Sequence, residues 1–204
     1  MRDAIELAEI LIYAGGIWPA VVDANSFPSL GSGAVPEVRT PVLTRLTFEG
    51  HVVEVVQGRA VLRVTSPVST DLSPVIDAAA AFVNKYLRAS WRLGFIIQLR
   101  CPVPKGHEPD DWLRRLVRAD AIAEIQGPLP FDVILEVPFQ FSPGRGLVRI
   151  ERSRAEPLNA ILFSMHYSLD NPSIDDLGKF GTCVSEASYL AERVMALVPT
   201  EVEQ

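Results

Sequence analysis

The apolar residues near the C-terminus recur at alternating steps of three and four, the spacing of one face of an α-helix. They are Leu177, Phe180, Val184, Ala187, Ala191, Val194 and Val198. Ser173 and Asp176 have the spacing of a capping box, which marks where such a helix begins. The pattern predicts a long C-terminal helix with one buried stripe. The small residues Ala187 and Ala191 favour close packing on the chain's own sheet over a coiled-coil seam.

Three other segments carry helical periodicity. The periodicity of residues 2–14 predicts a short helix, which ends at a Gly-Gly pair. Residues 73–87 predict a second helix, because a serine and a proline precede an alanine-rich apolar stripe. Acidic residues in the first turn predict a third helix from Pro109 to about residue 125.

Runs of β-branched residues between short turns predict strands in two groups. The predicted strands are 42–48, 52–56 and 60–65, then 95–101, 133–139, 147–151 and 160–167. Strands that come in runs, rather than alternating with helices, are typical of the α+β class. We therefore expect mostly antiparallel sheet built from two strand runs, with helices packed on one face. Residues 1–204 are expected to form a single α+β domain, with an irregular loop at 23–41.

Composition narrows the class of protein further. The chain has 204 residues, 48% of them hydrophobic, and a net charge of −6, which argues against a nucleic-acid partner. No apolar run approaches the roughly 18 residues of a membrane span. Acids interrupt the apolar N-terminal segment, which a secretory signal does not tolerate. Two cysteines do not make a disulfide framework. We expect a cytoplasmic protein without a membrane partner, and the composition is typical of a bacterial one.

Candidate chemistry is sparse. The three histidines have no metal-ligand spacing, and the densest polar cluster is His107, Glu108, Asp110 and Asp111. These side chains would suit a divalent metal, but acids at the start of a helix need no ligand to explain them. Neither cysteine has an adjacent base and an electropositive site. We therefore expect no catalytic residue, no metal ligand and no cofactor.

Arginine and tryptophan residues form the strongest candidate binding set. Arg114 and Arg118 are one helical turn apart, and aromatic residues accompany cations at many protein interfaces. The predicted partner-binding residues are Arg114, Arg115, Arg118, Trp112, Trp91 and Arg92. An ordinary solvated helix face is the alternative explanation for the arginines.

The order of these elements resembles an uncharacterised, sporadically distributed family of bacterial α+β proteins. The similarity lies in an early helix before Trp18-Pro19, the hairpin region 46–64, and a strand ending at Leu169-Asp170 before the last helix. The family's opening strand and the Trp-Arg end of its second hairpin strand are missing. The resemblance implies the α+β fold and carries no activity or residue role.

These observations favour a non-enzymatic protein-binding or assembly subunit of a bacterial complex, with a protein partner or a homo-oligomer. The alternative is a hydrolase, with or without a metal, that uses His107, Glu108, Asp110 and Asp111. A third hypothesis is an anion or a nucleic acid bound by the arginine residues.

Overall fold

In the computed structural model, nine antiparallel strands form one sheet. The strands are β1 Ile5–Tyr13, β2 Val35–Arg39, β3 Leu43–Phe48, β4 His51–Val56, β5 Arg59–Val64, β6 Arg92–Pro102, β7 Leu135–Phe141, β8 Gly144–Arg152 and β9 Ala160–Asp170. Their order across the sheet is β2-β3-β4-β5-β1-β6-β9-β8-β7. The structure describes residues 5–31, 35–64, 71–88, 90–104, 106–117, 133–141, 144–156 and 158–198.

Three α-helices lie in the described part of the chain: α1 Ser73–Tyr86, α2 Pro109–Leu116 and α3 Lys179–Met195. A 3-10 turn at Ile174–Gly178 leads into α3, and the Asp176 carboxylate accepts the backbone N–H of Ser173 at 2.7 Å. The predicted α+β class, antiparallel sheet and C-terminal helix are confirmed. The part of the third predicted helix beyond residue 117 lies outside the described residues.

The prediction of a helix at residues 2–14 is wrong. Residues 5–13 form strand β1, which pairs with β5 on one side and with β6 on the other. Ala8, Ile10 and Ile12 are buried on one face, and Glu9 and Leu11 on the other. Burial on both faces makes the strand apolar at nearly every position, which hides its alternation.

The stretch predicted as an irregular loop is partly ordered. It contains 3-10 turns at Ala24–Ser26 and Pro28–Leu30 and then β2. Phe27 stacks on Phe82 of α1, with ring centroids 6.0 Å apart, and meets Phe48 edge-on at 6.2 Å. Phe27 and Leu30 of this segment therefore belong to the hydrophobic core.

The core occupies one face of the sheet. Phe180 of α3 packs against Phe95 of β6 at 5.3 Å between ring centroids. Buried residues of α1, α2 and α3 belong to the same cluster as the inward side chains of the strands. No helix among the described residues is long and apolar enough to cross a membrane.

Candidate binding face

The opposite face of the sheet carries none of the described helices, and we call it the open face. Side chains on adjacent strands lie directly opposite each other and so form rows across it. One row is Arg63–Glu9–Ile96–His166–Leu147, and a second is Arg59–Tyr13–Arg92–Asp170.

Charged residues on the open face are mostly paired. Arg63 Nε lies 2.6 Å from Glu9 Oε1, and the Glu9 side chain is only 7% exposed. Arg149 lies between Glu136 at 3.3 Å and Glu151 at 3.0 Å. The Arg63–Glu9 pair links β5 to β1, and the Arg149–Glu136 pair links β8 to β7, whereas Arg149 and Glu151 lie on the same strand.

Apolar residues also reach the open face. Leu11 and Val61 are directly opposite each other, and both are buried although they lie outside the main core cluster. Ile96 and Leu147 are half-buried on either side of the exposed His166. The open face therefore has an apolar centre bordered by ion pairs.

Tyr13 is flanked by two arginines across the strands, Arg59 on β5 and Arg92 on β6. The Arg92 guanidinium carbon lies 5.9 Å from the centroid of the Tyr13 ring, a cation–π distance. Tyr13 and Arg92 line two adjoining hollows of about 420 and about 300 Å³. The larger hollow includes Trp91, and the smaller includes His166.

His166 adds no positive charge to the smaller hollow at neutral pH. Partial burial of the imidazole, and then the positive charge of Arg149, hold the pKa of His166 below its usual value. The lowered pKa favours the neutral form of the ring.

The predicted partner-binding residues do not form one surface. Trp91 and Arg92 lie at the N-terminal end of β6, beside the hollows. Helix α2 lies near the other end, because Asp110 binds Arg152 at 2.8 Å and the register links Arg152 to β6 through β9. The 11 residues of β6 separate the two groups by roughly 30 Å.

The α2 residues differ in their accessibility. Trp112 was predicted to contribute to a binding surface. It is instead fully buried in the core, where a partner cannot reach it. Its side chain points inward because α2 is amphipathic and packs against β8. Arg115 is exposed, and Arg114 lies 3.6 Å from Asp111. Arg118 lies outside the described residues.

Three of the four hydrolase candidates are buried or ion-paired, and the fourth, Glu108, is exposed. His107 is buried, Asp110 is paired with Arg152, and Asp111 with Arg114. Within the described ranges, no group of three His, Cys, Asp or Glu side chains is arranged to hold a metal. Burial raises the pKa of Cys101 to about 11 and that of Cys183 to about 12, so both thiols stay protonated and are poor nucleophiles.

Sequence reasoning missed Tyr13 and Arg59. Both fell in segments whose neighbours across the sheet were unknown, since residue 13 was assigned to a helix. If residues 5–13 are taken as a central strand, its last residue, Tyr13, is expected to lie beside the ends of two neighbouring strands. That expectation would have pointed to Tyr13 as part of a site.

No protein-family model matches the chain, and a search of curated proteins gave no match. The functional proposal therefore depends on the geometry of the open face.

Proposed function

We propose that the chain is a non-enzymatic, protein-binding subunit of a cytoplasmic bacterial complex, and that its partner docks on the open face. The observation that carries the proposal is the apolar centre of this face, around Ile96 and Leu147, on a sheet side without a described helix. Apolar surface bordered by polar groups is typical of protein-binding sites.

The edges of the sheet are less suited to binding. The outermost described strands, β2 and β7, each contain a proline, Pro36 and Pro138. Proline cannot donate a ladder hydrogen bond, and the register of β2 also shifts at Pro36. Both features disfavour addition of a partner strand, which leaves the face as the better docking surface.

Charge favours an acidic partner. Among the described residues, seven arginines and six carboxylates belong to the open face by strand register and contact. They are Arg45, Arg59, Arg63, Arg92, Arg100, Arg145 and Arg149, with Glu6, Glu9, Glu54, Glu136, Glu151 and Asp170. The open face is thus slightly basic on a chain whose net charge is −6. Such a contrast steers an acidic surface to this side of the molecule.

Co-purification from the source cells tests the proposal with two charge variants. Ile96→Glu with Leu147→Glu places carboxylates at the centre of the open face, where they repel an acidic partner and must be desolvated. We expect this variant to lose a protein that the wild type retains. Arg114→Glu with Arg115→Glu on α2 is the control, and we expect it to retain that protein.

Circular dichroism and thermal melting establish that each variant is folded. The same co-purifying proteins with the folded open-face variant as with the wild type would refute the proposal. Loss only in the α2 variant would instead assign binding to the arginines that sequence reasoning selected.

A further inference from the structure

We infer that the larger hollow beside Tyr13 and Arg92 binds a small aromatic anion, a compound with a planar ring and a phosphate or carboxylate group. This site goes beyond the protein-binding role, because it needs no protein partner. It lies at the strand ends, at the border of the open face.

The hollow is shallow and open to solvent, and its volume and lining match those of a site for a small molecule. Its volume is about 420 Å³, and known small-molecule pockets span about 300–1,000 Å³. The lining combines Tyr13 and Trp91 with Ser90, Arg92 and Asn171. Such a mixture offers ring surfaces for stacking and polar groups for orientation.

Arg92 supplies the positive charge. It is exposed, and its guanidinium carbon lies 5.9 Å from the Tyr13 ring centroid. The nearest acid by register, Asp170, lies 3.1 Å from Arg145 instead. No ion pair to Arg92 exists among the described residues, so its charge is available to a phosphate or carboxylate.

Arg59, which lies opposite Tyr13 on β5, adds a second positive charge near the hollow. Its Nε is buried and has no hydrogen-bond partner in the described structure. Gly58, the adjacent residue, lines the hollow. Arg59 does not itself line the hollow, so its positive charge acts on an anion there only over a longer distance. The two arginines therefore favour an anion over a neutral compound.

Trp91 and Tyr13 account for the aromatic part of the ligand. Trp91 is half-buried and packs against the core on one side, which fixes the indole at the hollow. A fixed indole is a stacking surface that costs little side-chain entropy on binding. Inorganic phosphate would use the arginines alone and leave this surface empty.

Isothermal titration calorimetry of the purified full-length chain tests the inference with four probes. They are adenosine monophosphate, 4-hydroxyphenylacetate, adenosine and inorganic phosphate. We expect at least one of the two ring-bearing anions to bind with a Kd below about 1 mM. Adenosine and phosphate, which each lack one of the two features, are expected to bind at least about tenfold more weakly.

Variants locate the binding. Arg92→Gln removes the charge at the strand end and is expected to weaken the ring-bearing anion about tenfold or more. Arg115→Gln changes an arginine that is also exposed but lies on α2, near the far end of β6, and this variant is expected to bind like the wild type. Absence of binding by both ring-bearing anions, or equal affinity in folded Arg92→Gln, would overturn the inference. Phosphate binding as tightly as adenosine monophosphate would refute the aromatic part. Neither result bears on the protein partner, which the substitutions at Ile96 and Leu147 test separately.

Discussion

A chain that ends after Pro172 is expected to be unfolded. The deletion removes the buried stripe of α3 and exposes Phe95 and its neighbours on β6. A fully buried large apolar side chain contributes about 1.5–3 kcal/mol, and a whole domain is stable by only about 5–15 kcal/mol. The deletion removes seven buried apolar residues and therefore most of the available stability; they are Leu177, Phe180, Cys183, Val184, Ala187, Ala191 and Val198. Circular dichroism and urea titration measure the result.

The full-length Tyr189→Ala variant is the control for this deletion. Tyr189 is 60% exposed on the outer side of α3, so its loss should leave the unfolding transition almost unchanged. A truncated chain that still unfolds cooperatively, but has lost an oligomeric state, would contradict the account. That outcome would make α3 an assembly helix, the alternative that its three-four spacing allows.

Arg63→Leu is expected to lower the free energy of unfolding by about 2 kcal/mol. The substitution leaves the carboxylate of Glu9 buried and without its 2.6 Å partner. Breaking a fully buried pair costs about 3–5 kcal/mol, and the 38% exposure of the Arg63 side chain reduces that cost. Urea unfolding followed by circular dichroism gives the value.

A double-mutant cycle separates the ion pair from the packing of Arg63. Glu9→Leu with Arg63→Leu removes both charges, and we expect it to recover most of the stability lost in Arg63→Leu. If the double variant is as unstable as the sum of the two single variants, the pair is not coupled and the buried carboxylate is not the cause.

The parts of the fold that the sequence predicts are those with local signals. Helix α3 has a stripe, a capping box and small residues, and the hairpins around Gly50 and Gly58 have turn residues with positive φ at 72° and 81°. Strand β1 has no comparable signal, because tertiary pairing on both sides decides its structure. Its acids, Glu6 and Glu9, interrupt the apolar run, and in the fold they pair with Arg100 and Arg63 on the two neighbouring strands.

The residues of the candidate site are brought together by the pairing register of the strands, which a single sequence does not specify. Trp91 and Arg92 could be selected by residue type, but their neighbour Tyr13 comes from a strand almost 80 positions earlier. Trp112 was placed on a surface because its helix carries arginines, yet an amphipathic helix also carries core residues, and Trp112 is one of them.

The accessibility of one engineered cysteine tests the central claim, that a partner covers the open face. Ser168→Cys adds an exposed thiol on that face, Ser185→Cys adds one on the outer side of α3, and both native cysteines are buried. Maleimide labelling is compared between purified protein and a lysate of the source cells, with a free thiol peptide added to both samples to correct for competing thiols. The account predicts that the lysate protects Cys at position 168 and leaves Cys at position 185 equally reactive. Equal labelling at both positions, or protection at position 185 alone, would contradict it.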